Sequence, residues 1–107
     1  MPMIQDIQTK IASEQFEFSK HAVDQSIIRQ IRLYEIVEAI ANGQIIEDYP
    51  NDKYAPSCLI CGITQIGRTI HIQSSYPSRP LVKIITVYKP DPNKWNNNFT
   101  VRRTNNE

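Results

Sequence analysis

Hydrophobic and polar positions recur on two different periods along this chain, and the change of period separates a helical first part from a strand-rich remainder. Ile4, Ile7 and Ile11 share one side of residues 4–13 and predict a short amphipathic helix. Gln15-Phe16-Glu17-Phe18 alternates, as a brief strand or an extended link does. Ser19 has the character of an N-cap opening a helix that runs through about Ile31. Its apolar stripe is expected to be Val23, Ile27 and Ile31. His21, Gln25, Arg29 and Arg32 fall at i, i+4, i+8 and i+11, which gathers them within roughly 80° on another face. A further helix follows, with Leu33, Ile36, Val37 and Ile40 as its stripe and Gly43 as its C′ stop.

From Gln44 the period becomes two. Gln44 to Tyr49 predicts a strand, ended by Pro50 and the Asn51-Asp52 turn. Residues 58–75, CLICGITQIGRTIHIQSS, read as a β-hairpin around Thr64-Gln65-Ile66-Gly67. A β-branched Ile66 resists positive φ, so the expected turn is type I over Gln65 and Ile66, with Gly67 left-handed. In the second arm Ile70 and Ile72 point one way, and Thr69, His71 and Gln73 the other. The first arm is apolar on both faces, as a central strand should be. Tyr76 to Pro80 is a loop, Leu81 to Tyr88 a fourth strand, and Pro90 and Pro92 close it. Trp95 and Phe99 are placed over one end of the core, and residues 102–107 are expected to fray. The predicted class is α+β: N-terminal helices packed on one face of a roughly four-stranded antiparallel meander. The other face would present His71 and its neighbours to solvent or to a ligand.

Composition adds limits. A length of 107 residues predicts a single domain. No apolar run nears the roughly 18 residues of a membrane span, and MPMIQDIQTK lacks a signal-peptide layout, so no membrane partner is expected. Two cysteines make no disulfide framework, which leaves the cytoplasm as the default location. Net charge is +1, but residues 1–54 carry five basic side chains against nine acids, and residues 55–107 seven against two. Such polarity creates an anion-binding face if the halves stay apart in space, and none if they interleave.

Cys58-Leu-Ile-Cys61 is a CxxC, yet on a strand residues three apart face opposite ways, so the pair is expected to be buried structure rather than a metal or redox site. His21 and His71 are the only histidines. Should the helix stripe lie at the sheet edge, both would meet Arg29 and Arg68. That set suits phosphodiester cleavage: histidines move protons and arginines stabilise the charge that grows on phosphate. The alternative is a solvated or capping His21 and a hydrogen-bonded strand residue at His71. Glu47 and Asp48 are adjacent on a strand and so do not pair. No phosphate loop, nucleophile elbow or metal-spaced acid cluster is present, and no cofactor is expected.

FSKHA at 18–22, Arg29, EIVEAIANG at 35–43, IIEDYP at 45–50, PSCLICG at 56–62, GRTIH at 67–71, IITVYKPDP at 84–92 and Trp95 occur in that order. Over roughly residues 16–103 the chain resembles a family of small bacterial proteins, domain of unknown function 4258, related to RelE-like toxin ribonucleases. The resemblance implies a RelE-like α+β fold, metal-independent acid–base cleavage of RNA and a small antitoxin partner. His21, Arg29, Arg68 and His71 match the family's polar positions. His21, Arg29 and His71 are then the catalytic candidates, with Gln25, Arg68, Tyr88, Trp95 and Arg102 as substrate-binding ones. The chain departs from the family's pattern where an arginine is usual at Gln25 and a capping Ser or Thr at Arg32. A non-catalytic binding module and a degenerate toxin of another role are the alternative readings.

Overall fold

The computed structural model describes residues 3–103. Three helices, α1 (Met3–Ala12), α2 (Lys20–Ile28) and α3 (Leu33–Ala41), accompany five strands. The strands are β1 (Phe16–Phe18), β2 (Gln44–Tyr49), β3 (Ser57–Ile63), β4 (Thr69–Ser75) and β5 (Val82–Tyr88). They form one sheet in the order β1-β5-β4-β3-β2. The expected meander of β2 to β5 is antiparallel, but the fold has a fifth strand: β1 pairs in parallel with β5, Phe16 opposite Val82 and Phe18 opposite Ile84. The sheet is therefore mixed.

The register sorts the two faces. Ile60, Ile72 and Val87 lie abreast on one side, and with Ile70, Ile84 and Val82 they form the core with Ile7, Ile11, Ala22, Ile31, Ile36, Ala39 and Ile40. Cys61, His71 and Tyr88 lie abreast on the other. The two free thiols accordingly face opposite ways, as expected of a strand. Burial pushes the Cys58 thiol up to about 12 and raises Cys61 as well, so both act as small apolar side chains.

Close approach of α3 to β3 depends on Gly62. A Cβ there would stand 1.8 Å from the Ala39 carbonyl oxygen, so only glycine lets the helix backbone rest on the strand. The hairpin turn follows the expected geometry, with the Gly67 N–H donating to the Thr64 carbonyl at 2.9 Å and Gly67 at φ +88°.

Ser19 caps α2, accepting from the Ala22 N–H at 3.0 Å. Its hydroxyl also donates to the Ile85 carbonyl at 2.9 Å, and Ile85 sits at the irregularity that shifts the β4–β5 register. The cap thus fixes the start of the helix to β5. Of the expected α2 stripe only Ile31, just past the end of the helix, is buried. Val23, Ile27 and Ile28 are exposed, the last two by about 70%, and Ala22 is the buried residue of the helix. A small side chain lets α2 lie close along β5, which turns the larger aliphatics outward. The helix also ends sooner than Ile31, with Gln30 at φ +54°. In α3, Leu33 is exposed whereas Ile36 and Ile40 are buried.

Candidate functional site

The second sheet face is not open to solvent. The chain after β5 folds back over it, with Trp95 bridged to Arg102. Trp95 is buried there, its ring 4.5 Å from that of His71 and nearly perpendicular to it. Trp95 thus covers the polar face, not the end of the core. His71, expected to be presented on that face, is fully buried.

Both ring nitrogens of His71 are occupied. Nε2 lies 2.7 Å from the Phe99 carbonyl oxygen. A carbonyl only accepts, so Nε2 carries the hydrogen. In the neutral ring Nδ1 is then an acceptor, and the Tyr88 hydroxyl donates to it at 3.2 Å. Burial holds His71 below the usual histidine range, against the opposing pull of the Phe99 carbonyl and Glu47. Burial likewise raises the Tyr88 phenol. His71 is therefore a neutral histidine behind Tyr88, not a side chain that meets a ligand directly.

Over this layer lies a cavity of about 620 Å³, lined by Arg29, Tyr88, Lys89, Asp91, Lys94, Trp95 and Arg102. Each comes from a different constraint. Arg29 is the C-cap of α2, and its guanidinium carbon stands 5.8 Å from the centre of the Tyr88 ring. Tyr88 ends β5, and Lys89 follows it before Pro90 stops the strand. Arg102 lies 4.7 Å from the Trp95 ring and grips Glu47 of β2, Nε to Oε2 at 2.8 Å and the second nitrogen to Oε1 at 3.2 Å. Tyr49 donates to the same carboxylate. Burial works to raise Glu47, but the bonds from Arg102 and Tyr49 outweigh it and hold the carboxyl below its usual range. Of the four cations around the cavity, only Arg102 is ion-paired among the described residues.

Four sequence-predicted residues, Arg29, Tyr88, Trp95 and Arg102, share this cavity, and His71 lies directly behind two of them. The others are placed elsewhere. His21 is exposed on α2 and Gln25 half-buried, and neither lines the cavity. Arg68 is not at its rim. It donates to Glu35 at 2.7 Å and borders a separate hollow with Ile27, Tyr34 and Ile66. Lys89 and Lys94 were not singled out by the sequence, although both flank the Pro90–Pro92 turn that projects them. Among the described residues no three His, Cys, Asp or Glu side chains group as metal ligands would, and no helix is long and apolar enough to cross a membrane.

The model of the Domain of unknown function (DUF4258) matches residues 18–89, two thirds of the chain. The protein belongs to this family. The DUF4258 match takes in α2, α3 and β2 to β5, and it ends at Lys89 inside the cavity lining. Asp91, Lys94, Trp95 and Arg102 of the site lie beyond the DUF4258 region. No curated protein and no solved structure matches the chain.

Proposed function

We propose that this protein is a RelE-like toxin ribonuclease of a toxin–antitoxin pair, acting in the cytoplasm, and that the cavity beneath Arg29 and Arg102 binds the RNA backbone. The observation that carries this reading is the convergence of four cations, Arg29, Lys89, Lys94 and Arg102, around two aromatic rings, against one acid, Asp91. Clustered cations supply the sequence-independent affinity for phosphates, and Tyr and Trp give the cavity aromatic walls. Proton transfer would fall to Tyr88, backed by His71, since the histidine has no direct access. Cleavage is expected to need no metal. A small antitoxin would hold the enzyme inactive in the cell.

A second reading is favoured by the burial of His71 with both nitrogens engaged: an RNA-binding module that does not cut. One experiment separates them. Binding of an end-labelled single-stranded RNA is followed by fluorescence anisotropy across a salt series, and its products on a gel in excess EDTA. Affinity should fall with salt at about 0.7 per phosphate contact on a log–log plot. Arg29→Ala and Lys94→Ala should each lower that slope by about one contact. Tyr88→Phe should slow cleavage by about 10²-fold or more. Binding without products selects the binding module. No binding even at about 50 mM salt overturns both.

A further inference from the structure

Resting on the reading of the cavity as an RNA site, we infer that His71 fixes the Tyr88 hydroxyl as a hydrogen-bond acceptor, so that the cavity recognises the ribose 2′-hydroxyl and prefers RNA to DNA. Three observations lead there. The Phe99 carbonyl at 2.7 Å from Nε2 sets the tautomer of His71. That tautomer turns Nδ1 into an acceptor, and the Tyr88 proton is spent on it at 3.2 Å. The Tyr88 oxygen makes no other hydrogen bond among the described residues, so its lone pairs remain for whatever fills the cavity that Tyr88 lines. A ligand group offered to that oxygen must donate. Along a nucleic-acid backbone at neutral pH the phosphates only accept, whereas the 2′-hydroxyl donates and is the group that tells RNA from DNA.

Trp95 packs on the same imidazole, its ring nearly perpendicular to that of His71. The imidazole thus packs against two aromatic side chains and cannot turn to exchange its nitrogens without breaking both hydrogen bonds. His71 is in this sense a positioning residue. Its effect reaches the ligand through Tyr88.

The orientation should respond to pH. The charged and titratable groups around His71 are Tyr88 from β5, Cys61 from β3, Glu47 with Tyr49 from β2 and Arg102 from the C-terminal segment, with Arg29 of α2 above Tyr88. Protonation would make Nδ1 a donor to Tyr88 and free the phenolic hydrogen to point into the cavity. Because burial holds His71 below its ordinary range, the acceptor form persists through neutral pH and is lost only on acidification.

The test compares one sequence as RNA, as DNA and as 2′-fluoro RNA, which keeps the ribose shape but lacks the donor, binding to wild type, Tyr88→Phe and His71→Asn. Asn offers an acceptor near the Nδ1 position and cannot become protonated. At pH 7.5 wild type should bind RNA about fivefold more tightly than 2′-fluoro RNA, the worth of one net hydrogen bond. Tyr88→Phe should erase that ratio while still binding both. His71→Asn should keep it, and should keep it at low pH, where the wild-type ratio falls. Equal wild-type affinity for RNA and 2′-fluoro RNA overturns the inference and leaves the RNA site standing. A ratio that survives in Tyr88→Phe also overturns it. Failure of wild type to bind any of the three overturns the RNA site, and the inference with it.

Discussion

Arg68→Ala should strike the stability of this fold and leave the proposed RNA binding alone. Glu35 is only 2% exposed. One of its oxygens accepts from Arg68 at 2.7 Å, the other from the Arg32 N–H that opens α3 at 3.0 Å. Deleting Arg68 strands a carboxylate away from water with a single backbone donor. Breaking a buried pair from one side costs about 3–5 kcal/mol. The Arg68 side chain is 27% exposed and water can reach the gap, which argues for the lower end, about 3 kcal/mol. In a domain of this size that corresponds to a fall in Tm of about 10–20 °C. Glu35→Gln removes the charge but keeps an acceptor for Arg32, so the double variant should be more stable than Arg68→Ala alone, by about 1–2 kcal/mol. Urea unfolding of the four proteins measures all of this. An Arg68→Ala protein within about 0.5 kcal/mol of wild type, or a double variant weaker than the single, would refute the argument, as would a loss of RNA affinity beyond the loss of folded protein.

Two glycines should fail for different reasons. Gly62→Ala drives a methyl into the Ala39 backbone and should cost about 3 kcal/mol or more, whereas Gly67→Val meets nothing within 4 Å and should cost roughly 1–3 kcal/mol through its φ of +88°; thermal melts that rank them the other way would contradict the packing of α3 on β3. Cys58→Ala should cost about 1 kcal/mol as a small buried group and leave RNA binding unchanged, and a metal found in stoichiometric amount by elemental analysis would contradict its role as core.

What could be read from the sequence was what is decided locally. Ser19 and Gly67 announce a cap and a turn through their own chemistry, and alternation placed His71 opposite Ile70 and Ile72. The rest depends on distant partners. Phe16-Glu17-Phe18 is too short to reveal that it pairs with β5, and a parallel partner some 66 residues away leaves no local mark. The α2 stripe holds at Ile31 but misleads at Val23 and Ile27, because helix periodicity favours large aliphatics, yet docking on β5 used Ala22. Arg68 has the look of a phosphate ligand until Glu35, 33 residues earlier, is seen beside it. His71 was placed on the right face, but nothing near it in sequence tells that Trp95 and Phe99 return to seal it. Four of the seven lining residues are legible, Arg29, Tyr88, Trp95 and Arg102, whereas Lys89, Asp91 and Lys94 around the proline turn are not.

The cavity has two origins. Its floor and one wall, Tyr88, Lys89 and Arg29, are built by the part of the chain common to DUF4258, and its remaining wall by a segment outside that region. The second wall is fastened to the sheet by few groups: the Trp95 ring and the Phe99 backbone carbonyl on His71, and the Arg102 guanidinium on Glu47. Such a seam works like an exchangeable lid on a fixed socket. A different segment after β5 could alter the charge and width of the cleft while the sheet beneath kept its register, provided it brought an acceptor to His71 Nε2. Variation in ligand preference within the family would then be written after Pro90, in a dozen residues laid over a sheet whose register they do not set.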